Sequence, residues 1–382
     1  MNLIALKMLI GDRMKYISLV AGIAFAALLV TQQASIFNGY SRQMGAWIRD
    51  TNVADLWVMD EQVEFVDDFK PVAEQKLHRI RSVDGVQWAV PMYKNYLRTR
   101  LPDGTEVQTR VVGLDDATLT GAPAEIVEGR AEDLRRDRAV MINIEQASTT
   151  LAQKRDGNKP LKVGDRISIN DNEAIVVGFY RATREFFWDP VVYTTYTKAL
   201  SWAPRERKQL SFILVKAKDN QDLAQLRQRI REQTGLVAYT RREFDSKTTK
   251  DLLARTGILV NFGITIMLGF VIGVLIAGQT FFTFVLDNVR HFAALKAMGL
   301  RNLAIVRMVF LQLLTVGSIG YGIGLGGAVV TGVLFSRGGL AFDMTWQIPV
   351  LGAVAILGCC LGAGMISLVR VMRMEPGIVF RA

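Results

Sequence analysis

Few side chains in this sequence could catalyse a reaction or hold a metal ion. The chain contains only two histidines, His78 and His291, and two cysteines, Cys359 and Cys360. His78 lies in a charged segment with no nucleophile–base or metal-ligand spacing around it, so we interpret it as a solvated surface residue. The phosphate-cradling pattern Gly-x-x-x-x-Gly-Lys-Ser/Thr does not occur. We therefore expect no enzyme activity, no metal site and no cofactor bound by this chain itself.

One polar stretch between apolar segments has a spacing that fits binding rather than catalysis. Phe292, Leu295 and Met298 recur at three-residue steps, and Gly299 supplies a helix stop. The pattern predicts a short amphipathic helix whose apolar face needs a partner. Spacing alone leaves two partners open, which are lipid headgroups and a groove on another protein.

The elements that position this stretch are four apolar segments of membrane-spanning length. They cover residues 16–37, 258–285, 303–335 and 348–371. About 20 apolar residues cross a hydrocarbon core of about 30 Å as a helix. A cleaved signal peptide with a site near Ala34-Ser35 is the alternative for the first segment. The 15 or so residues before that segment, and its length, favour a retained span.

The location of the positive charge gives the orientation. The formal charge is +10, but residues 37–255 carry a net of only +3 and the segments flanking the spans carry +7. Short basic loops stay in the cytoplasm. We therefore expect both termini and the loop at residues 286–302 to be cytoplasmic, with the large segment on the outer side of the membrane. Because the excess charge flanks spans, nucleic-acid binding is not expected.

The outer segment alternates strand and helix patterns. The predicted fold class is an α-helical membrane protein with four transmembrane helices in a 1+3 arrangement and a large α+β extracytoplasmic domain of two subdomains between helices 1 and 2. Asp103-Gly104 and Asn170-Asp171-Asn172 indicate tight turns between strands. Residues 241–255 are polar and contain no Gly or Pro, and we predict a stalk helix at 241–257 that continues the second span outward.

These patterns divide the chain as follows. We predict an amphipathic helix on the cytoplasmic face at 1–15, for which a frayed extension of the first span is the alternative. The first span is at 16–37. An outer domain at 38–240 consists of porter-like parts at 38–113 and 201–240 with a β-rich insertion at 114–200, and the stalk is at 241–257. The later spans are at 258–285, 303–335 and 348–371, separated by the loop at 286–302 and a short outer loop at 336–347, and a cytoplasmic tail is at 372–382.

The spans hold almost no ionisable residue, which argues against ion-coupled transport. They are rich in glycine instead, at positions four residues apart that let two helix backbones approach closely. Packing within the chain and packing between two copies in a homodimer are both open. The glycines concerned are Gly269, Gly273, Gly320, Gly324, Gly326, Gly358 and Gly362.

Several motifs together resemble the FtsX-like ABC permeases, the MacB-type mechanotransmission superfamily. The stretch from Arg290 to Gly299 resembles the coupling helix of that family, and the basic tail ending in Glu375-Pro376 resembles its C-terminus. Val127-Glu128-Gly129-Arg130 and the segment from Ala139 to Asn143 look like its outer-domain signature. Within the family, the stretches from Asp55 to Met59 and from Leu295 to Gly299 look most like DevC-type permeases. The sequence departs at His291, where many relatives have Glu, so a salt bridge from this position is in doubt.

The resemblance implies partners and a function. A separate ABC ATPase binds ATP and receives the coupling helix, this chain forms a homodimer, and a periplasmic membrane-fusion adaptor with a TolC-like outer-membrane channel completes a tripartite efflux assembly for hydrophobic or lipid-like cargo. The coupling residues implied are Arg290, His291, Phe292, Ala293, Leu295, Lys296, Ala297, Met298, Gly299, Arg301, Glu375 and Pro376.

Two other functions stay open on the same fold. An FtsX-like regulator would move its outer domain to activate a cell-wall hydrolase, and a Lol-type machine would extract lipoproteins. The outer segment is larger than such regulators usually need, which favours export.

Overall fold

The structure, a computed structural model, describes residues 2–51, 53–336 and 338–372. It divides into two compact units, Met1–Tyr40 with Thr256–Ala382, and Ser41–Arg255.

The first unit consists of helices. They are α1 (Asn2–Gly11), α2 (Arg13–Met44), which extends four residues into the second unit, α9 (Ile258–Asp287), α10 (Val289–Ala297), α11 (Asn302–Ser336) and α12 (Gln347–Met372). Four of them, α2, α9, α11 and α12, are long and apolar enough to cross a membrane. The predicted 1+3 arrangement of four spans is confirmed.

Helix α1 is separate from the first span, because the backbone bends at Asp12 between α1 and α2. Its side chain at Leu9 is buried, whereas Ile10 is 56% exposed and Met14, at the start of α2, is 75% exposed. The apolar residues therefore divide between an inward face and an outward face.

The second unit holds all the strands of the described chain and the remaining helices. The strands are β1 (Leu56–Met59), β2 (Val86–Arg100), β3 (Glu106–Leu114), β4 (Glu125–Glu128), β5 (Ala139–Asn143), β6 (Arg166–Ile169), β7 (Asn172–Arg181), β8 (Val191–Thr195), β9 (Phe212–Ala217) and β10 (Val237–Thr240). The helices are α3 (Ala46–Asp50), α4 (Glu74–Arg81), α5 (Ile144–Ser148), α6 (Tyr196–Trp202), α7 (Leu223–Thr234) and α8 (Arg241–Thr256).

The strands form one continuous path in the order β10-β1-β9-β2-β3-β8-β5-β7-β4, with β6 paired to β2 and β7. Strand β2 is long enough to belong to both parts of the domain. Its first half pairs with β9, and its second half pairs with β3 and β6. The porter-like part and the β-rich insertion thus share one strand, and a large α/β domain lies between the first two spans, as predicted.

Local turn chemistry explains one register. Strands β6 and β7 are joined by Asn170 and Asp171, whose φ values are +48° and +64°. A two-residue hairpin turn with both residues left-handed matches the twist of the strands, and Asn and Asp tolerate that conformation. At the other hairpin only Gly104 has positive φ, and the loop has five residues between β2 and β3.

The stalk helix does not continue unbroken into the second span. Helix α8 ends at Thr256, Gly257 has a φ of +63°, and α9 begins at Ile258. A left-handed glycine ends a helix because it has no Cβ to clash. The unbroken helix instead belongs to the first span, since α2 runs from Arg13 to Met44.

A buried cluster of charges joins strands and loops in the second unit. Lys94 on β2 and Arg110 on β3 have side chains that are 0% and 1% exposed. Lys94 Nζ lies 2.8 Å from Asp67 Oδ1, and Arg110 Nη1 lies 3.2 Å from Asp67 Oδ2. Arg110 also pairs with Glu185, and the Lys94 ammonium lies 3.8 Å from the ring centroid of Trp47. Two cations are therefore matched by two carboxylates away from water.

The electrostatics of this charge cluster follow from burial. Burial alone would raise the pKa of Asp67, but the charges of Lys94 and Arg110 lower it below its ordinary value. Burial lowers the pKa of Lys94 and raises the pKa of Glu185. Asp67 is thus the carboxylate whose charge the charge cluster most requires.

Replacing Asp67 with Asn leaves Lys94 and Arg110 buried with one carboxylate between them. We expect Asp67→Asn to lower the free energy of unfolding of the outer domain by about 3–5 kcal/mol, as when one partner of a buried pair is removed. Urea unfolding of the full chain in nanodiscs, followed by tryptophan fluorescence, measures this. Asp84→Asn is the matched control, since Asp84 forms only exposed ion pairs with Lys218 and Arg229. Equal effects of the two substitutions would contradict the role of the charge cluster.

Candidate functional site

The stretch that the sequence singled out forms its own helix between two spans. Helix α9 ends at Asp287, Asn288 makes the turn, and α10 follows with nine residues. The Asn288 backbone N–H and side-chain Nδ2 both donate to the carbonyl of Phe284, at 3.1 and 2.9 Å. The turn therefore satisfies one of the last carbonyls of α9 and fixes where α10 starts.

The end of α10 is a Schellman cap. The N–H of Gly299 donates to the carbonyl of Lys296 at 3.0 Å, and the N–H of Leu300 donates to the carbonyl of Leu295 at 3.2 Å. Gly299 has a φ of +88°, and a Cβ at this position would meet no atom within 4 Å. Glycine is therefore required by the backbone conformation rather than by lack of space.

The surface of this loop combines charge with an exposed apolar residue. Arg290, His291, Gly299 and Arg301 are exposed, and Met298 is 75% exposed. Leu295 and Lys296 are partly buried. Phe292, Ala293 and Ala297 lie in α10, but their side chains are outside the described part of the structure, and Glu375 and Pro376 lie outside the described residues altogether.

An apolar cluster lies where the helices on either side of this loop end and begin. Phe281, Phe284 and Val285 at the end of α9 pack with residues of α11 such as Val309, and all four are fully buried. The rings of Phe281 and Phe284 have centroids 5.7 Å apart. Leu9 of α1 joins the same cluster at 1% exposure. The sequence pattern did not indicate that α1 contributes to the base of this loop.

Most of the predicted glycines pack inside the helical unit. A Cβ at Gly273 would lie 2.5 Å from the Cβ of Ala26, and a Cβ at Gly324 would clash with the carbonyl oxygen of Ala24. Close approach to α2 thus depends on both glycines. Gly269 and Gly320 also face α2, whereas Gly358 and Gly362 of α12 face Phe270 and Val274 of α9.

Gly326 differs from these glycines. It is exposed, and a Cβ there would meet no atom within 4 Å; the same holds for Gly322, one turn earlier on α11. The two cysteines, Cys359 and Cys360, are buried and not bonded to each other. Of the seven glycines predicted to pack helices, Gly326 alone points to a face without a neighbour in the described residues of this chain.

Comparisons with known proteins give the family. The MacB-like periplasmic core domain matches residues 18–233, and the FtsX-like permease C-terminal domain matches residues 263–376. A comparison with curated proteins found no match.

Solved structures were also compared. The extracellular domain of the ABC-type transporter YknZ from Gram-positive bacteria is 12% identical, with a TM-score of 0.34, covering 49% of this chain and 98% of that one. The periplasmic region of MacB from Actinobacillus actinomycetemcomitans is 11% identical, with a TM-score of 0.37, covering 52% and 94%. At TM-scores this low, the two structures add nothing to the domain matches. Because the MacB-like match covers more than half of the chain and the FtsX-like match covers its C-terminal spans, this chain belongs to the MacB/FtsX-like family of ABC transporter permeases.

Proposed function

We propose that this chain is the permease subunit of an ABC exporter and that α10 is the helix that its ATPase engages. The observation that carries the proposal is a capped surface helix between two spans, ending at an exposed methionine. A short helix with Met298 and Arg301 on the surface offers both apolar and charged contacts to a protein groove. ATP is bound by the separate ATPase subunit, because this sequence has no phosphate-binding loop.

Movement of α10 would be transmitted through its supports. The turn at Asn288 joins α10 to α9, and the end of α9 packs with α1 and α11 in the cluster around Phe284, so a push on the loop would reach a set of packed helices. Because α9 is interrupted from the stalk at Gly257, we assign transmission toward the outer domain to α2. Both termini are proposed to be cytoplasmic, because the segments that flank the spans are basic.

The second copy in a homodimer is proposed to pack on the outward face of α11. Gly322 and Gly326 are one turn apart on this face, with Ile319, Ile323 and Val330 exposed beside them. Small residues flanked by apolar ones allow helices to approach closely in a membrane. The inward glycines are already used for packing within the chain.

The proposed exporter carries hydrophobic or lipid-like cargo. A periplasmic adaptor and a TolC-like channel complete it, as in DevC-type assemblies. Among the described residues of the outer domain, Val53, Val127 and Val163 are the large hydrophobic side chains with high exposure, and they are scattered along the chain. A lipoprotein-extracting machine needs a contiguous apolar acceptor face, so this observation disfavours the Lol-type alternative. The FtsX-like regulator is the remaining alternative.

The first prediction of the proposed function concerns α10. Met298→Asp should weaken co-purification of the ATPase about tenfold, because it removes the burial of one large apolar side chain at the interface. Pull-down of the ATPase by the chain in nanodiscs, at several ATPase concentrations, measures the affinity. Val163→Asp, which changes an exposed apolar residue of the outer domain, should leave the affinity unchanged. If Met298→Asp binds like the unmodified chain, α10 is not the docking element.

The second prediction concerns the dimer. Gly326→Ile should abolish the dimer while leaving the thermal stability of the chain close to normal, whereas Gly324→Ile should lower the stability because a side chain there meets α2. Light scattering after size exclusion and thermal unfolding report the two effects. In a background with Cys359→Ala and Cys360→Ala, Gly322→Cys should cross-link two copies. Cross-linking through Gly263→Cys on α9 in its place would move the dimer contact to that helix.

The third prediction separates export from regulation. Proteoliposomes with this chain, its ATPase and the adaptor should transfer a fluorescent lipid from the membrane to the adaptor when ATP is added. An ATPase inactivated at its catalytic carboxylate is the control, and it should show no transfer. ATP-dependent activation of a cell-wall hydrolase without lipid transfer would favour the regulator instead.

A further inference from the structure

A cleft in the outer domain has a lining of mixed aromatic and acidic character. Its volume is about 340 Å³, within the range that takes a small organic molecule. It lies between α3, the loop at residues 121–125 and the segment that follows β7. Its lining includes Trp47, Asp50, Glu125, Arg181, Glu185 and Tyr193.

The lining is acidic in balance. It contains three carboxylates, Asp50, Glu125 and Glu185, and one guanidinium, Arg181. Arg181 pairs with Glu125, and Glu185 pairs with Arg110 behind the cleft. Of these three carboxylates, only Asp50 forms no ion pair with a described residue of the outer domain.

The Asp50 carboxylate is held in place by neutral donors. Its Oδ2 accepts from the backbone N–H of Thr183 at 2.9 Å, and its Oδ1 accepts from the Thr183 hydroxyl at 3.1 Å. Each carboxylate oxygen can accept a second hydrogen bond. The carboxylate is therefore held in one orientation and can accept a further hydrogen bond.

The inner wall of the cleft is aromatic and rigid. Trp47 and Tyr193 are each only 4% exposed, and the Trp47 Nε1–H donates to the Tyr193 hydroxyl at 2.9 Å. Tyr193 packs edge-on against Tyr180 with ring centroids 5.0 Å apart. An apolar group entering the cleft would contact side chains that already have fixed positions, so it would lose little by ordering them.

We infer that this cleft binds a compact organic cation, with an ammonium group at Asp50 and an apolar part against Trp47 and Tyr193. An anion would meet three carboxylates and would compete with Glu125 for Arg181. A neutral molecule would leave the charge of Asp50 without a partner. A charge-assisted hydrogen bond to an oriented carboxylate is stronger than a neutral one, which favours the cation. This site shares no residue with α10 and goes beyond the proposed function.

Calorimetric titration of the full chain in phosphatidylcholine nanodiscs tests the inference with three probes of similar shape. These are phenethylammonium, neutral 2-phenylethanol and anionic 3-phenylpropanoate. Phenethylammonium should bind measurably, and the other two should bind at least about tenfold more weakly. Absence of phenethylammonium binding, or equal binding of the neutral or anionic probe, would overturn the assignment.

Two substitutions in the cleft should act in opposite directions. Asp50→Asn should weaken phenethylammonium binding about tenfold, whereas Arg181→Gln should strengthen it, since it removes the only cation of the lining. A misfolded outer domain could not produce the gain. Asp137→Asn, at a side chain that is 89% exposed and outside the cleft, should have no effect. Unchanged binding in both cleft variants would show that the ammonium group binds elsewhere.

Discussion

The outer domain depends on the pairing of Lys94 and Arg110 with Asp67. These two cations lie on adjacent strands, and burying each one alone would cost several kcal/mol. Asp67 comes from the loop after β1, and Glu185 comes from the loop after β7, so the same charges that balance the cations also hold two distant loops against the β2–β3 hairpin. Arg110 reinforces this by donating to the carbonyls of Phe187 and Asp189, at 2.7 and 3.0 Å. A hydrophobic core could be as stable, but it would not select one placement of these loops. We interpret the charge cluster as the device that fixes their position.

One of these two loops, the loop after β7, also forms part of the wall of the acidic cleft. Glu185 belongs to both the charge cluster and the cleft lining, and Trp47 contacts the Lys94 ammonium on the side of the charge cluster while it donates to Tyr193 beside the cleft. Helix α3, which carries Trp47 and Asp50, is also tied to α8 by the contacts of Arg49 Nη1 with both oxygens of Asp245 at 2.7 Å. The cleft is therefore walled by segments that ion pairs hold in one arrangement.

Much of the architecture could be predicted from the sequence because local chemistry decides it. Segment length gave the four spans, Asn170-Asp171 gave a hairpin, and Gly299 gave the end of the coupling helix. The prediction of a continuous stalk was wrong, because the left-handed Gly257 ends the polar helix α8 before the apolar helix α9 begins. The charge cluster was missed because its partners are separated by 27 to 75 residues and because charged residues in strands are usually solvated. Gly320 with Gly324 and Gly322 with Gly326 have the same spacing, but two residues turn a helix by about 200°, so the pairs face opposite sides. Which side has a neighbour is a tertiary property.

The stability of helix α10 depends on the residues that flank it. A nine-residue helix is too short to be stable alone in water, because nucleation costs more than so few hydrogen bonds return. Helix α10 is therefore held by the turn at Asn288, by the Schellman cap at Gly299 and by the spans on either side. Since Phe281, Phe284 and Val309 are fully buried with Leu9, the support of the loop includes the N-terminal helix α1. Closely packed side chains respond to a push by moving together rather than by compressing. If α10 is the helix that the ATPase engages, a force applied there would pass through the turn at Asn288 to the cluster that α9 forms with α1 and α11.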